Sequence, residues 1–288
     1  MSSDATSPAP FEFRSHFAPR PHISHVVFDF DGTLSWLRHG WPFLMVDLFA
    51  HQIPLLPGES PEQLAKLLLN DVLSLNGHPS VHQIKRLADL NLERGGPPAD
   101  PHEKLVEYQR RLDEQLADRV GFIQHGQAHT EDYVIHGARA LLEELQRRRL
   151  TLIILSGTQE ARVREEARLL RLEPFFGRHI YGSHPEHREF SKRPVIERLL
   201  REENIEGAHL LAFGDGPVEI SVTKDVGGLA VGIASDEHHN GSGQADPHKH
   251  AQLAAAGADV LMADYRDFET LLDRLFGPRP DSRSAAHE

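Results

Sequence analysis

The stretch Val26-Val27-Phe28-Asp29-Phe30-Asp31-Gly32-Thr33-Leu34 (residues 26–34) governs how the chain reads. From Ile23 to Phe30 it is rich in β-branched and aromatic residues, the composition of a strand buried in a parallel sheet. Two carboxylates then alternate at Asp29 and Asp31, and Gly32 follows. Acids at the carboxyl end of a core strand cost stability unless they bind something. In open α/β sheets that edge is where ligands sit. The competing reading is a plain strand-to-loop turn with solvated aspartates, since Asp and Gly are ordinary turn residues.

Downstream, from His136, apolar strands alternate with amphipathic helices. Strands are expected at 150–155, 179–182, 209–213, 229–234 and 259–262. Helices are expected at 137–149, 159–172, 192–203, 218–226, 251–256 and 268–276. Strands separated by helices of this length imply right-handed crossovers. The expected fold class is therefore α/β, a Rossmann-like parallel sheet with helices on both faces.

Between the first strand and this block lies a different pattern. Residues 33–42 form a connector holding Trp36, Arg38, His39 and Trp41. It reads equally as a packed hinge or as a flap that excludes water from a site. From Pro42 to about Val120 the apolar spacing is helical throughout. Pro61 suits the first position of a second helix, and Ser80 suits the N-cap of a third. A fourth helix is expected from Pro101 to Leu116. The block reads as a small helical bundle inserted into the α/β part. The domain expectation is a disordered tail over 1–20, a core of 21–35 and 133–277, a helical cap of 36–132, and a second disordered tail over 278–288.

The 288 residues carry 39% hydrophobic and 26% charged residues, as soluble globular chains do. A net charge of −12 argues against nucleic acid or an anionic membrane as the main partner. The absence of cysteine excludes disulfides and thiol catalysis. No apolar run reaches transmembrane length, and residues 1–20 do not read as a secretion signal, so a cytoplasmic location is expected. Of the 20 histidines, His238, His239, His248 and His250 cluster in a segment rich in Gly, Asn, Asp and Ser. Their spacing fits no standard zinc pattern, so a flexible loop is favoured over a metal site.

Asp-Phe-Asp-Gly-Thr (29–33) resembles the first signature of the haloacid dehalogenase-like hydrolase superfamily. Leu152 to Thr158, a strand ending in Ser156-Gly157, resembles the second. Ser191-Lys192-Arg193-Pro194 resembles the third, and Leu211 to Glu219, with Gly214-Asp215-Gly216, the fourth. The four occur in the family's order, and the resemblance covers about residues 23–275. Residues 207–237 resemble the phosphoglycolate-phosphatase-like branch, with Glu219 where many members carry Asp.

The strand ends of one parallel sheet share an edge, which would bring Asp29, Asp31, Ser156 and Asp215 together with Lys192 reaching in. Converging carboxylates without cysteine favour a hard cation; Mg²⁺ fits best, and Ca²⁺ remains possible on ligand type alone. The resemblance implies that Asp29 is the nucleophile and Asp31 the acid and base. It implies that Asp29, Asp215 and the Asp31 backbone carbonyl hold Mg²⁺. It implies that Ser156 and Lys192 bind phosphate oxygens, aided by backbone N–H groups near Gly157 and Gly32, and that Lys192 keeps Asp29 ionised. Glu219 is expected behind them, orienting a metal-bound water or Lys192. The expected function is a Mg²⁺-dependent phosphatase of a small phosphorylated metabolite. A phosphomutase on the same scaffold and a non-catalytic binding protein are the competing functions.

Overall fold

The computed structural model describes residues 11–76, 78–183 and 191–277. Among these, seven strands form one sheet: β1 (Phe11–Phe13), β2 (His25–Phe28), β3 (Thr151–Gln159), β4 (Ile180–Ser183), β5 (Leu210–Gly214), β6 (Leu229–Ile233) and β7 (Val260–Met262). Their order is β1-β7-β6-β5-β2-β3-β4. All neighbours pair in parallel except β1, which runs antiparallel to β7. The chain leaves β2 toward β3 and β4, then crosses back to β5 on the other side. That reversal opens a crevice beyond the carboxyl ends of β2 and β5. Asp29 and Asp215 are the residues that follow those two ends.

The alternation along the strands sends side chains to two buried faces. Val26 and Phe28 join Ile154, Phe213 and Val231 in the larger core cluster. Val27 joins Ile153, Leu155 and Ala212 on the opposite face. Helices α5 (Ala138–Arg147), α6 (Glu160–Leu169), α7 (Glu173–Phe176) and α11 (Phe268–Phe276) cover the first face, through residues such as Leu141, Val163, Phe176 and Leu272. Helices α8 (Lys192–Glu202) and α9 (Pro217–Asp225) cover the second, through Ile196, Leu199 and Val222. The Phe28 ring stacks on Phe213 at 4.9 Å and meets Phe176 edge-on.

Between β2 and α5, helices α1 (Trp41–Ala50), α2 (Pro61–Ser74), α3 (Ser80–Glu93) and α4 (Pro101–Gln124) share a separate apolar core around Met45, Phe49, Leu68, Ile84 and Leu87. The chain enters and leaves this bundle through two adjacent segments. The Trp36 N–H donates to the Tyr133 carbonyl, and the Ile135 N–H to that of Leu34. Trp36 stacks on His39 at 3.6 Å, and its indole N–H donates to the Asp236 carbonyl. Trp41 packs against the bundle core.

Several sequence expectations need correction. The expected tail over 1–20 contains the edge strand β1, and Phe11, Phe13 and Phe17 pack against the core. Three phenylalanines this close present apolar surface that the sheet edge covers. Residues 1–10 and 278–288 lie outside the described residues. Helix α4 continues past Leu116 to Gln124, because Leu116 and Ile123 find a second apolar surface on the large core. Ser80 is the first residue of α3 and makes no side-chain cap. The short helix α7 has too few residues to give a periodic signal. Helix α10 (Pro247–Ala255) is capped by the Asp246 carboxylate, so His248 and His250 are helical and only 236–246 is loop.

The Phe28 contacts make a stability prediction. Phe28→Ala removes a fully buried ring between two others, and urea denaturation should show a loss of about 3–5 kcal/mol.

Candidate active site

Asp29 is carried to the crevice by the end of β2, where its N–H donates to the Phe213 carbonyl at 2.9 Å. The chain then turns sharply. The Phe30 carbonyl accepts from the N–H groups of Leu34 and Ser35. Gly32 sits in this turn at φ +74°, in the left-handed region. A Cβ there would lie 2.2 Å from Asp215 Oδ2. Gly32 thus satisfies both the turn and the close approach of a carboxylate from the neighbouring strand end.

Lys192 opens α8 and is buried. Its Nζ lies 3.0 Å from Asp29 Oδ1 and 3.0 Å from Glu219 Oε2. The other Glu219 oxygen accepts the Gly216 N–H at 2.6 Å. Glu219 folds back over its own helix start because Gly214 has no side chain; a Cβ there would lie 2.2 Å from Glu219 Cγ. One carboxylate oxygen each from Asp29, Asp215 and Glu219 lies within 4.8 Å of the others. An all-oxygen, all-anionic donor set of this kind fits a hard divalent cation. Of the residues expected to share this edge, Asp29, Asp215 and Lys192 meet here, and Glu219, expected behind them, bonds Lys192 and lies within the acid cluster.

The electrostatics of this cluster differ from the expectation for Asp29. Burial pushes its carboxyl well above the usual carboxylate range. Lys192 pulls it down, while Glu219 and Asp215 push it up again. One lysine between two carboxylates, with a third close by, does not overcome desolvation. Burial likewise raises Asp215 to about 6, against the pull of Lys249. For Lys192, burial favours loss of the proton, but Asp29 and Glu219 outweigh it and raise the ammonium pKa.

Asp31 points to another set of partners. Its Oδ2 accepts the Thr158 hydroxyl at 2.8 Å, and Oδ1 lies 3.1 Å from Arg38 Nε. Its carboxylate is outside the three-acid cluster. Arg38, from the hinge, also pairs with Glu166 on α6. Burial raises Glu166 to about 7, opposed by Arg38 and reinforced by Asp31. Ser156 is buried within β3, and its hydroxyl accepts the Thr158 N–H at 3.0 Å. Neither Ser156 nor Gly157 bonds directly to Asp29 or Lys192 among the described residues.

Two groups were not assigned a role from sequence. Thr158 stood only as the last residue of the second signature segment, and Lys249 fell within the His-rich segment. Lys249 is buried with its Nζ 3.0 Å from Asp215 Oδ2. The Asp246 cap followed by Pro247 was a usable helix-start signal, but nothing local marked Lys249 as turned inward. The neighbouring histidines disperse: His238 lies against Phe43, and His250 pairs with Glu12.

A family model described as haloacid dehalogenase-like hydrolase matches residues 23–227. The chain belongs to that family. Three solved structures share the fold. A conserved haloacid dehalogenase-like protein of unknown function from Agrobacterium tumefaciens has a TM-score of 0.59 at 16% identity, covering 87% of this chain and 97% of that one. A predicted phosphoglycolate phosphatase from Haemophilus somnus has a TM-score of 0.58 at 15% identity, covering 87% and 98%. A haloacid dehalogenase family hydrolase from Deinococcus radiodurans, with phosphate and sodium bound, has a TM-score of 0.59 at 16% identity, covering 90% and 99%. Among curated proteins, none matches the sequence. No helix among the described residues is long and apolar enough to cross a membrane.

The burial of Lys192 separates it from surface cations. Without divalent cations, Lys192→Ala should lose about 3–5 kcal/mol, because Asp29 and Glu219 are left buried together. Arg193→Ala, which breaks an exposed pair with Asp225, should lose no more than about 1 kcal/mol. Parallel urea titrations of the two variants measure this contrast.

Proposed function

We propose that this hydrolase is a Mg²⁺-dependent phosphatase that releases phosphate from a small phosphorylated metabolite through an aspartyl-phosphate on Asp29. The observation that carries this reading is the cluster of Asp29, Asp215, Glu219 and Lys192 at the sheet reversal, with Asp31 two residues beyond Asp29. The phosphate held by the Deinococcus radiodurans relative lends support at the level of the shared fold. Residues 36–132 act as the cap over a core of 21–35 and 133–277. Asn76, just past the end of α2, reaches the site, where its side-chain amide donates to the Asp215 carbonyl at 3.3 Å. Gln252 on α10 bonds the Leu73 carbonyl at the end of α2. A cap this close to the acids admits small molecules rather than folded proteins.

Lys192 holds Asp29 Oδ1, so Oδ2 is the oxygen left to attack phosphorus. The Oδ2–P bond forms as the bond from phosphorus to the leaving oxygen breaks. Asp31 supplies the proton that the leaving oxygen needs. It then takes a proton from water, whose oxygen attacks phosphorus and breaks the Oδ2–P bond, restoring Asp29. Lys192 and Ser156 receive the non-transferred oxygens, together with backbone N–H groups near Gly157 and Gly32. Asp29, Asp215 and the Asp31 carbonyl would hold the cation, with Glu219 bracing Lys192 beside them. A bound Mg²⁺ would offset the repulsion between carboxylates and phosphate. Asp31 also sets this chain apart from chemistry that needs no leaving-group proton.

The test is phosphate release from a panel of phosphomonoesters, with and without Mg²⁺, by the wild type and Asp29→Asn. Mg²⁺-dependent release that disappears in Asp29→Asn, by at least about 10³-fold, is expected. Release unaffected by Asp29→Asn would overturn the assignment of the nucleophile. No release from any ester, combined with isomerisation of a sugar monophosphate primed by a bisphosphate, would replace the phosphatase by a phosphomutase.

A further inference from the structure

Lys249 is not part of the four signatures, yet it is as deeply built into the site as Lys192. Its side chain is 1% exposed. An ammonium group has three N–H donors, and three acceptors meet it. Asp215 Oδ2 lies at 3.0 Å, Ser235 Oγ at 3.0 Å and Glu237 Oε1 at 2.5 Å. Burying an ammonium group costs several kcal/mol unless it is paired and bonded this completely. Its partners are themselves anchored. The Ser235 hydroxyl donates to the Gly32 carbonyl at 2.7 Å, and the second Glu237 oxygen accepts the Gly40 N–H at 3.1 Å.

Asp215 Oδ2 is therefore enclosed from two sides, by Lys249 Nζ and by the bare Cα of Gly32. Oδ1 carries no hydrogen bond or ion pair among the described residues. Lys192 treats Asp29 in the same way, taking Oδ1 and leaving Oδ2. Two lysines thus each occupy one oxygen of one carboxylate. In each carboxylate the lysine makes its close approach to one oxygen. The two ammonium groups are paired with four carboxylates, those of Asp29, Asp215, Glu219 and Glu237. Fully ionised, they leave a surplus of two negative charges, which one divalent cation balances.

We propose that Lys249 is a positioning residue that confines Asp215 to one-oxygen coordination and thereby selects Mg²⁺ over Ca²⁺. This rests on the metal-dependent reading above. Mg²⁺ takes six ligands in near-ideal octahedral geometry at about 2.0–2.1 Å, whereas Ca²⁺ accepts about six to eight, including both oxygens of one carboxylate. A carboxylate locked to a single donor suits the smaller ion. Removing Lys249 releases Oδ2, lets Asp215 offer both oxygens, and adds one negative charge to the pocket.

The experiment is calorimetric titration with MgCl₂ and, separately, CaCl₂. It uses the wild type, Lys249→Met, Glu237→Gln and the double variant Lys249→Met/Glu237→Gln. The double variant avoids leaving Glu237 buried without its cation, so it preserves the fold if the single variant does not. The wild type should bind Mg²⁺ more tightly than Ca²⁺. In either Lys249 variant the preference for Mg²⁺ should fall by about tenfold or more. Glu237→Gln alone, which keeps Lys249 on Asp215, should retain it. A general loss of stability would weaken both ions together and leave their ratio unchanged. An unchanged ratio in a folded Lys249 variant overturns the proposal, as does a wild type that binds Ca²⁺ more tightly. A wild type that binds neither ion overturns the metal-dependent reading along with it.

Discussion

Three carboxylates held within a few ångströms of one another, out of water, are the constraint on which the structure turns. Asp29, Asp215 and Glu219 repel, and burial raises Asp29 and Asp215 against ionisation. Asp215 and Glu219 meet locally around the start of α9, but nothing local brings Asp29 to them. The sheet does so, because β2 and β5 lie side by side and end at the same edge. Their apolar residues secure the register on both faces, so the acids that follow have no freedom to separate. Lys192 and Lys249 offset part of the repulsion from opposite flanks. The remaining negative charge suits a cation.

The same edge governs the second half of the site. Asp31 lies two residues past Asp29, but the turn around Gly32 directs it toward β3 and the hinge rather than into the acid cluster. Thr158 and Arg38 meet it there. Arg38 belongs to the segment that leads into the helical bundle, so the hinge touches the proposed acid–base residue directly. On the other flank, Glu237 accepts the Gly40 N–H at the start of α1 and pairs with Lys249. Both flanks of the site are therefore tied to the chain segment that carries the cap.

Much of the core was legible because its signals are local. Buried strands announce themselves by β-branched and aromatic runs, and the crossover helices by their 3.6-residue period. The carboxylates stood out because acids seldom end buried strands without a purpose. What escaped had no local signal, or had one that pointed elsewhere. Phe11–Phe13 is too short and too close to a terminus to read as a strand, and it depends on the free edge of β7. The last turns of α4 carry Val120, Phe122 and Ile123 around Gly121, and their packing surface lies on the other core. Lys249 sits among histidines and small polar residues, a composition that reads as loop. Lys192 was expected to keep Asp29 ionised, a pairwise expectation that could not weigh desolvation and two further carboxylates.

The order of residues therefore specifies the chemical inventory: the acids, the hydroxyls and the lysine of the four signatures, and the alternating pattern that must close into a parallel sheet. Periodicity and residue chemistry are properties of short segments, so they survive without a structure. Which oxygen each carboxylate has left to offer, which partners Asp31 takes, and that Lys249 turns inward to Asp215 are properties of segments far apart in the chain. They exist only once the reversal between β2 and β5 has placed those segments against one another, where burial and neighbouring charges set the state of each group.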